Sequence, residues 1–209
     1  MARVLIGMVG RARAGKDSFA ARLIERHGFV GYAFADNLRK AMLALDPIVD
    51  VEGATGYDYG YGGESPIYLS SVIKGWGWEG AKERLPEVRR LLQALGTDAI
   101  RALDPDFWVR PVMREIRSIG ARPVVITDVR FPNEAAAVEQ AGGKLVRVIR
   151  PDQEGADMHV SETALDDWGT DYDVVNDSTV EHLHTQADWV SGLVKWRSKM
   201  TPGDGGDDC

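Results

Sequence analysis

Cysteine is nearly missing from this chain: its 209 residues contain one, Cys209. A disulfide framework within the chain is excluded, and so is a cysteine-built metal centre. Long apolar runs are missing too. No stretch approaches the roughly 20 residues that a membrane-spanning helix needs. The short apolar run near the start, "RVLIGMV", is interrupted by Gly7, ended by Gly10 and followed by charges, so it does not read as a secretory signal. Positive charge is scarce: 25 Lys and Arg stand against 32 Asp and Glu, a net charge of −7. That balance disfavours an extended nucleic-acid-binding surface, whereas a small anionic ligand needs only a local basic pocket. These absences leave a cytosolic globular protein as the expectation, and 44% hydrophobic with 27% charged residues fits it. The length suits one domain, with or without an insert. That domain is expected over residues 1–198, and the Gly- and Asp-rich end, 199–209, reads as a disordered tail.

Apolar patterning outlines an α/β chain. "RVLIGMV" (3–9) is a continuous apolar run of the kind that a parallel strand buried on both faces requires, "PVVITDV" (123–129) is a second buried-strand candidate and "KLVRVIR" (144–150) a third strong strand. "FVGYAF" and "YDVVND" (172–177) read as shorter strands. Between them lie helical stretches: "KDSFAARLIERHG" with Gly28 as its stop, "ADNLRKAMLAL", residues 86–103, "DFWVRPVMREIRSIGA", "PNEAAAVEQAGG" and a long closing helix, "STVEHLHTQADWVSGLVKWRSK". Strands alternating with helices imply a largely parallel sheet, with ligands at the carboxyl ends of its strands. Residues 46–85 are different: Gly- and aromatic-rich, with little periodicity. Such a segment reads as a lid, an insertion or a mobile loop.

The stretch "GMVGRARAGKDS" follows the first strand and opens the first helix. This is the setting of a phosphate loop, G-x-x-x-x-G-K followed by Ser or Thr. Gly10 and Gly15 let the backbone turn its N–H groups toward an anion, and the helix adds the positive end of its dipole. The expected phosphate contacts are Gly10, Arg11, Arg13, Ala14, Gly15, Lys16, Asp17 and Ser18. Lys16 supplies the charge for the outer phosphates, with Arg11 and Arg13 adding potential. Asp17 stands where the pattern wants a hydroxyl, and Ser18 comes one place late. Two readings stay open for Asp17: a carboxylate facing a hydrated magnesium ion, or an acid favoured at a helix N-terminus.

Three further features bear on the chemistry. Asp128 ends the apolar run "VVITD" and is a candidate to bind a magnesium-coordinated water or to orient an acceptor, against a plain turn aspartate. Arg130, two residues on, suits a second phosphate, because its fork binds phosphate oxygens bidentately. Gln93, Thr97 and Arg101 recur at spacings of four on one helical face, either a base-and-phosphate set or an exposed polar stripe.

Taken in order, "GRARAGKDS", "FADNLRKAM", "GWEGAKERLPEVRRLLQALGTDAIR", "FWV", "TDVRFPNEAAAV", "HVSE" and "YDVVNDSTVEHL" resemble the P-loop deoxynucleoside monophosphate kinases of bacteriophages, over about residues 3–195. The resemblance implies a nucleoside monophosphate kinase fold with a substrate-side insert (46–85) and a lid (151–165). It implies transfer of the ATP γ-phosphoryl group, with Mg2+, to a deoxynucleoside 5′-monophosphate, and a host-cytoplasmic location if phage-encoded. It places Arg150 on ATP or the transferring group, Asn176 near the ATP base, and His159, Ser161 and Glu162 at the lid's return. Asp36, Arg39 and Lys40 would border the acceptor, and Trp76, Trp78 and Trp108 would stack on it or wall it. The expected partners are small nucleotides, without stable nucleic-acid or membrane binding, and a homodimer is left open. The segment 151–163 departs from a usual kinase lid in having no Lys or Arg, which shifts charge stabilisation to Lys16, Arg13, Arg130 and magnesium. Two other readings remain: a kinase of another small phosphorylated acceptor, phosphomevalonate or dephospho-coenzyme A, and a regulatory or DNA-processing ATPase.

Overall fold

The computed structural model describes residues 3–51, 65–151 and 163–200. The chain divides into two compact units, residues 1–34 with 109–209, and residues 35–108.

The first unit is built on a five-stranded sheet. In chain order its elements are β1 (Leu5–Val9), α1 (Lys16–His27), β2 (Val30–Tyr32), α5 (Val109–Ser118), β5 (Val124–Ile126), α6 (Pro132–Gln140), β6 (Lys144–Ile149), β7 (Tyr172–Val175) and α7 (Val180–Met200). The spatial order is β2-β5-β1-β6-β7, with every pairing parallel. The register sets Leu5 beside Val124 and Val9 beside Arg147. All five residues of β1 are buried, because it lies at the centre with helices on both faces. Ile6 and Met8 share one cluster with Phe19 and Leu23 of α1 and Leu183, Ala187 and Val190 of α7. Leu5 and Val9, on the alternate face, pack with Val112 and Ile116 of α5 and Ala135 and Val138 of α6. Period-two alternation thus supplies two cores from one strand. The α/β class expected from the sequence is the observed one, and all five expected strands form this sheet.

The second unit contains α2 (Ala35–Leu45), β3 (Ile48–Val51), β4 (Pro66–Tyr68), α3 (Leu69–Arg84), α4 (Pro86–Gln93) and a π-helical segment, Ala94–Arg101. Strands β3 and β4 pair antiparallel. Met42, Ile67, Leu69, Val72, Ala81, Leu85 and Val88 form its core. The low periodicity of 46–85 therefore conceals real structure. Gly77 (φ 65°, ψ 178°) breaks α3 in the middle, so its two halves do not share one apolar stripe. The "ALGTDAIR" segment, expected as α-helix, has the wider i→i+5 turn of a π-helix.

Residues 52–64 of the expected insert, residues 152–162 of the expected lid, with His159, Ser161 and Glu162, and the tail 201–209 lie outside the described residues. Among the described residues, no helix is long and apolar enough to cross a membrane.

Candidate active site

The loop between β1 and α1 is shaped by backbone that side chains tolerate poorly. Gly10 has φ 138° and Gly15 φ 108°. A Cβ on Gly10 would stand 2.4 Å from the Val148 carbonyl oxygen, and one on Gly15 would stand 2.6 Å from Asn176 Nδ2. Arg13 adopts φ 61°, a left-handed conformation that costs a non-glycine residue energy and clusters at functional sites. The turn closes with Ala14 N donating to the Arg11 carbonyl at 3.3 Å, and the helix begins with Phe19 N donating to Gly15 O at 3.0 Å.

Lys16 is 7% exposed. Its Nζ donates to the carbonyls of Gly10 (2.6 Å) and Arg11 (2.7 Å), so its ammonium is held within the loop's curve. Burial, and then the positive charge of Arg130, pull its pKa down from 10.5 to about 8, while Asp17 and Asp128 act in the opposite sense. That pattern identifies the local field: two cations and two carboxylates converge on the loop, drawn from α1 and from the end of β5.

Asp128 Oδ1 accepts from the Phe34 backbone N at 2.7 Å, which fixes its carboxylate at the carboxyl end of β5 beside β2. Arg130 is held from behind. Its backbone N donates to Glu134 Oε2 at 2.7 Å, and the same oxygen accepts from Phe131 N at 3.2 Å. Glu134 is only 2% exposed. It is a positioning residue that the sequence reading missed, although an acid in the first turn of a helix, three places after the residue that precedes it, is a recognisable signal. Asn176 sits at the end of β7, its Nδ2 donating to Ala14 O at 2.9 Å and its backbone N to Ile149 O at 2.7 Å. It braces the back of the loop, at the place where the resemblance also expects the ATP base.

Arg11 and Arg150 line a cavity of about 380 Å³ with Gly10, Ala14, Arg147 and Asp166. Arg11 Nη2 pairs with Asp166 Oδ2 at 2.8 Å. Magnesium favours oxygen donors and keeps several waters, relying on substrate phosphates more than on a protein cage. Asp17, Ser18 and Asp128 are oxygen donors of that kind, and both carboxylates lie near enough to Lys16 to act on its charge. Among the described residues no group of three or more His, Cys, Asp and Glu gathers into a metal site. The oxygen donors Asp17, Ser18 and Asp128 fit an ion shared with phosphates.

The second unit carries the other expected residues. Arg39 Nη1 lies 3.5 Å from Asp36 Oδ1, its guanidinium sits 6.0 Å over the Trp78 ring, and Lys40 is exposed. Trp76 is covered by Arg84 at 5.1 Å. Gln93, Thr97 and Arg101 are all half-buried; Thr97 and Arg101 lie in the π-helical segment, and Gln93 directly precedes it. The polar set is therefore not a freely exposed stripe. Trp108 is 5% exposed, and its Nε1 donates to Gly96 O at 3.1 Å. It is an interior side chain that satisfies a carbonyl of the π-helix, not an open stacking platform.

The sequence pattern of the deoxynucleotide monophosphate kinase family matches residues 80–187. A candidate deoxynucleotide monophosphate kinase of Acanthamoeba polyphaga mimivirus is 31% identical over 203 residues, covering 88% of this chain and 93% of the relative. The deoxynucleotide monophosphate kinase of Enterobacteria phage T4 is 32% identical over 103 residues, 47% of this chain and 43% of that protein. A solved dephospho-CoA kinase from Campylobacter jejuni overlays 91% of this chain and 96% of its own, at 13% identity and a TM-score of 0.43. The chain belongs to the deoxynucleotide monophosphate kinase family.

Proposed function

We propose that this chain transfers the γ-phosphoryl group of ATP to the 5′-phosphate of a deoxynucleoside monophosphate, releasing ADP and a deoxynucleoside diphosphate. The observation that carries the reading is the buried Lys16 in its glycine-built loop, with Asp128 and Arg130 acting on the same charge. Family membership supplies the acceptor class. It also favours this reading over other phosphorylated acceptors and over a DNA-dependent ATPase.

The chemistry asks for positioning more than for acid–base work. An acceptor phosphate oxygen attacks the γ-phosphorus, the β–γ bridging bond breaks, and ADP leaves. The nucleophile is already an anion at neutral pH, so no strong general base is required. Lys16 and the loop N–H groups hold the donor phosphates. Arg130, its backbone fixed by Glu134, takes the acceptor phosphate or the charge that spreads during transfer. Asp17, Ser18 and Asp128 would hold a magnesium ion through oxygen or water, and that ion neutralises phosphate charge when bound. Arg150 at the cavity wall is assigned to ATP. Asp36, Lys40, Trp78, Gln93, Thr97 and Arg101 are assigned to the acceptor; for Gln93, Thr97 and Arg101 the support is a half-buried setting in or beside a π-helix, a feature frequent at functional sites, and for the others it is the resemblance. Glu162 stays assigned to the acceptor through the resemblance alone. The viral relatives support action in a host cytoplasm.

The test is ADP release from MgATP with each deoxy- and ribonucleoside monophosphate in turn, with Lys16→Ala as the control. The reading predicts release that depends on a deoxynucleoside monophosphate and vanishes in the control. Release that no monophosphate stimulates contradicts it.

A further inference from the structure

Strand β6 contains a charge where its position calls for none. Arg147 lies in the run "KLVRVI", beside Val9 of the central strand, and its side chain is 16% exposed. A guanidinium that far from water must be compensated by hydrogen bonds. It is: Arg147 Nη1 donates to Asp166 O at 3.0 Å, and Nη2 donates to Leu165 O at 2.9 Å and to Trp168 O. The turn at 163–168 is thus gripped by its carbonyls from one side. From the other, Leu165 is buried in the core and Trp168 packs against it. Asp166 N donates to Thr163 O, and Trp168 N to Leu165 O, both at 3.0 Å. With two side chains anchored inward, the Asp166 carboxylate is left on Arg11 of the phosphate loop, 2.8 Å away. Both partners are nearly half-exposed, at 48% and 42%, and both line the cavity beside Gly10 and Ala14.

We propose that Asp166 is a positioning residue that competes with nucleotide phosphates for Arg11, and so lowers nucleotide affinity at this loop. The inference rests on the ATP-binding reading above. A carboxylate beside a polyanion site acts in two ways with one sign: it repels phosphate, and it occupies the arginine that phosphate would otherwise engage. Against these stands the preorganisation of Arg11 by the pair. An exposed ion pair is worth little, so preorganisation is the smaller effect. Looser binding serves turnover, because ADP held by the full charge of the loop leaves slowly. Arg147 supports the arrangement by fixing the turn that carries the carboxylate.

The experiment measures MgATP and MgADP binding by calorimetry, with steady-state KM values, for wild type, Asp166→Asn and Asp166→Glu at fixed ionic strength. Asp166→Asn is expected to bind both nucleotides about three- to tenfold more tightly, the range set by one weak pair and one removed like charge. The KM for the acceptor should stay unchanged, and Asp166→Glu should return affinity toward wild type. Arg11→Gln should cost more affinity in the Asp166→Asn background than alone. Damage to the fold cannot tighten binding, so the direction separates competition from a structural role. Unchanged or weaker nucleotide binding in Asp166→Asn overturns the proposal while leaving the kinase reading standing. A wild type that binds no ATP overturns both.

Discussion

Replacing Lys16 with methionine removes a buried charge and keeps most of the side chain's length and volume. The ammonium titrates at about 8 in the folded protein against 10.5 as its ordinary value, chiefly through burial. At roughly 1.4 kcal/mol per pH unit, that gap corresponds to about 3 kcal/mol of native-state cost. The sign follows from proton counting. Between about pH 8 and 10.5 the unfolded chain holds a proton that the folded chain has lost, so wild-type stability rises with pH across that window. Below about pH 8 both states are protonated and the full cost is present; above 10.5 both are neutral. Urea unfolding of wild type and Lys16→Met at pH 7, 9 and 10.5 isolates this group, because every other titration is common to both proteins. The advantage of Lys16→Met over wild type should shrink by about 3 kcal/mol from pH 7 to 10.5. The variant should be catalytically dead throughout. A stability difference that does not change with pH would refute the reasoning, since it would mean that Lys16 titrates normally.

Other substitutions probe the loop and its partners. Gly10→Ala should cost about 2–4 kcal/mol in thermal or urea unfolding, because the new Cβ meets the Val148 carbonyl at 2.4 Å. Gly28→Ala, at φ 70° with nothing within 4 Å, should cost only about 1 kcal/mol, and ATP binding should survive it but not Gly10→Ala. Arg130→Ala should raise the acceptor KM or lower kcat about a hundredfold while leaving ATP affinity nearly intact; unchanged kinetics would remove Arg130 from the transfer step.

The sheet was legible in the sequence because its central strands are buried on both faces, so that the apolar residues of "RVLIGMV", "PVVITDV" and "KLVRVIR" stand out as strand-length clusters. The phosphate loop was legible because its glycines answer to local backbone geometry, set by neighbours in sequence. The second unit was harder. Gly75, Gly77 and Gly80 interleave with Trp76 and Trp78, and the break at Gly77 removes the period that would have revealed α3. The π-helix was invisible because i→i+5 bonding leaves no composition signature in "ALGTDAIR". Contacts between distant residues were out of reach on principle. Arg11 meets Asp166 across 155 positions, and Asn176 meets Ala14 across 162. No spacing rule links such pairs. Arg147 is a charge inside a strand buried in a parallel sheet, a break of a local rule of the kind that tends to mark functional or strained positions. No spacing links it to the carbonyls of residues 165–168, however, and it was not singled out from the sequence.

The central claim is phosphoryl transfer between nucleotides, and following the phosphorus itself tests it most directly. MgATP labelled at the γ-phosphate is incubated with a deoxynucleoside monophosphate, and the products are separated. The label should appear on the β-phosphate of a deoxynucleoside diphosphate, in amounts equal to the ADP formed, and be absent with Lys16→Ala. Label recovered as inorganic phosphate, or left on ATP with every deoxynucleoside monophosphate, would contradict the account.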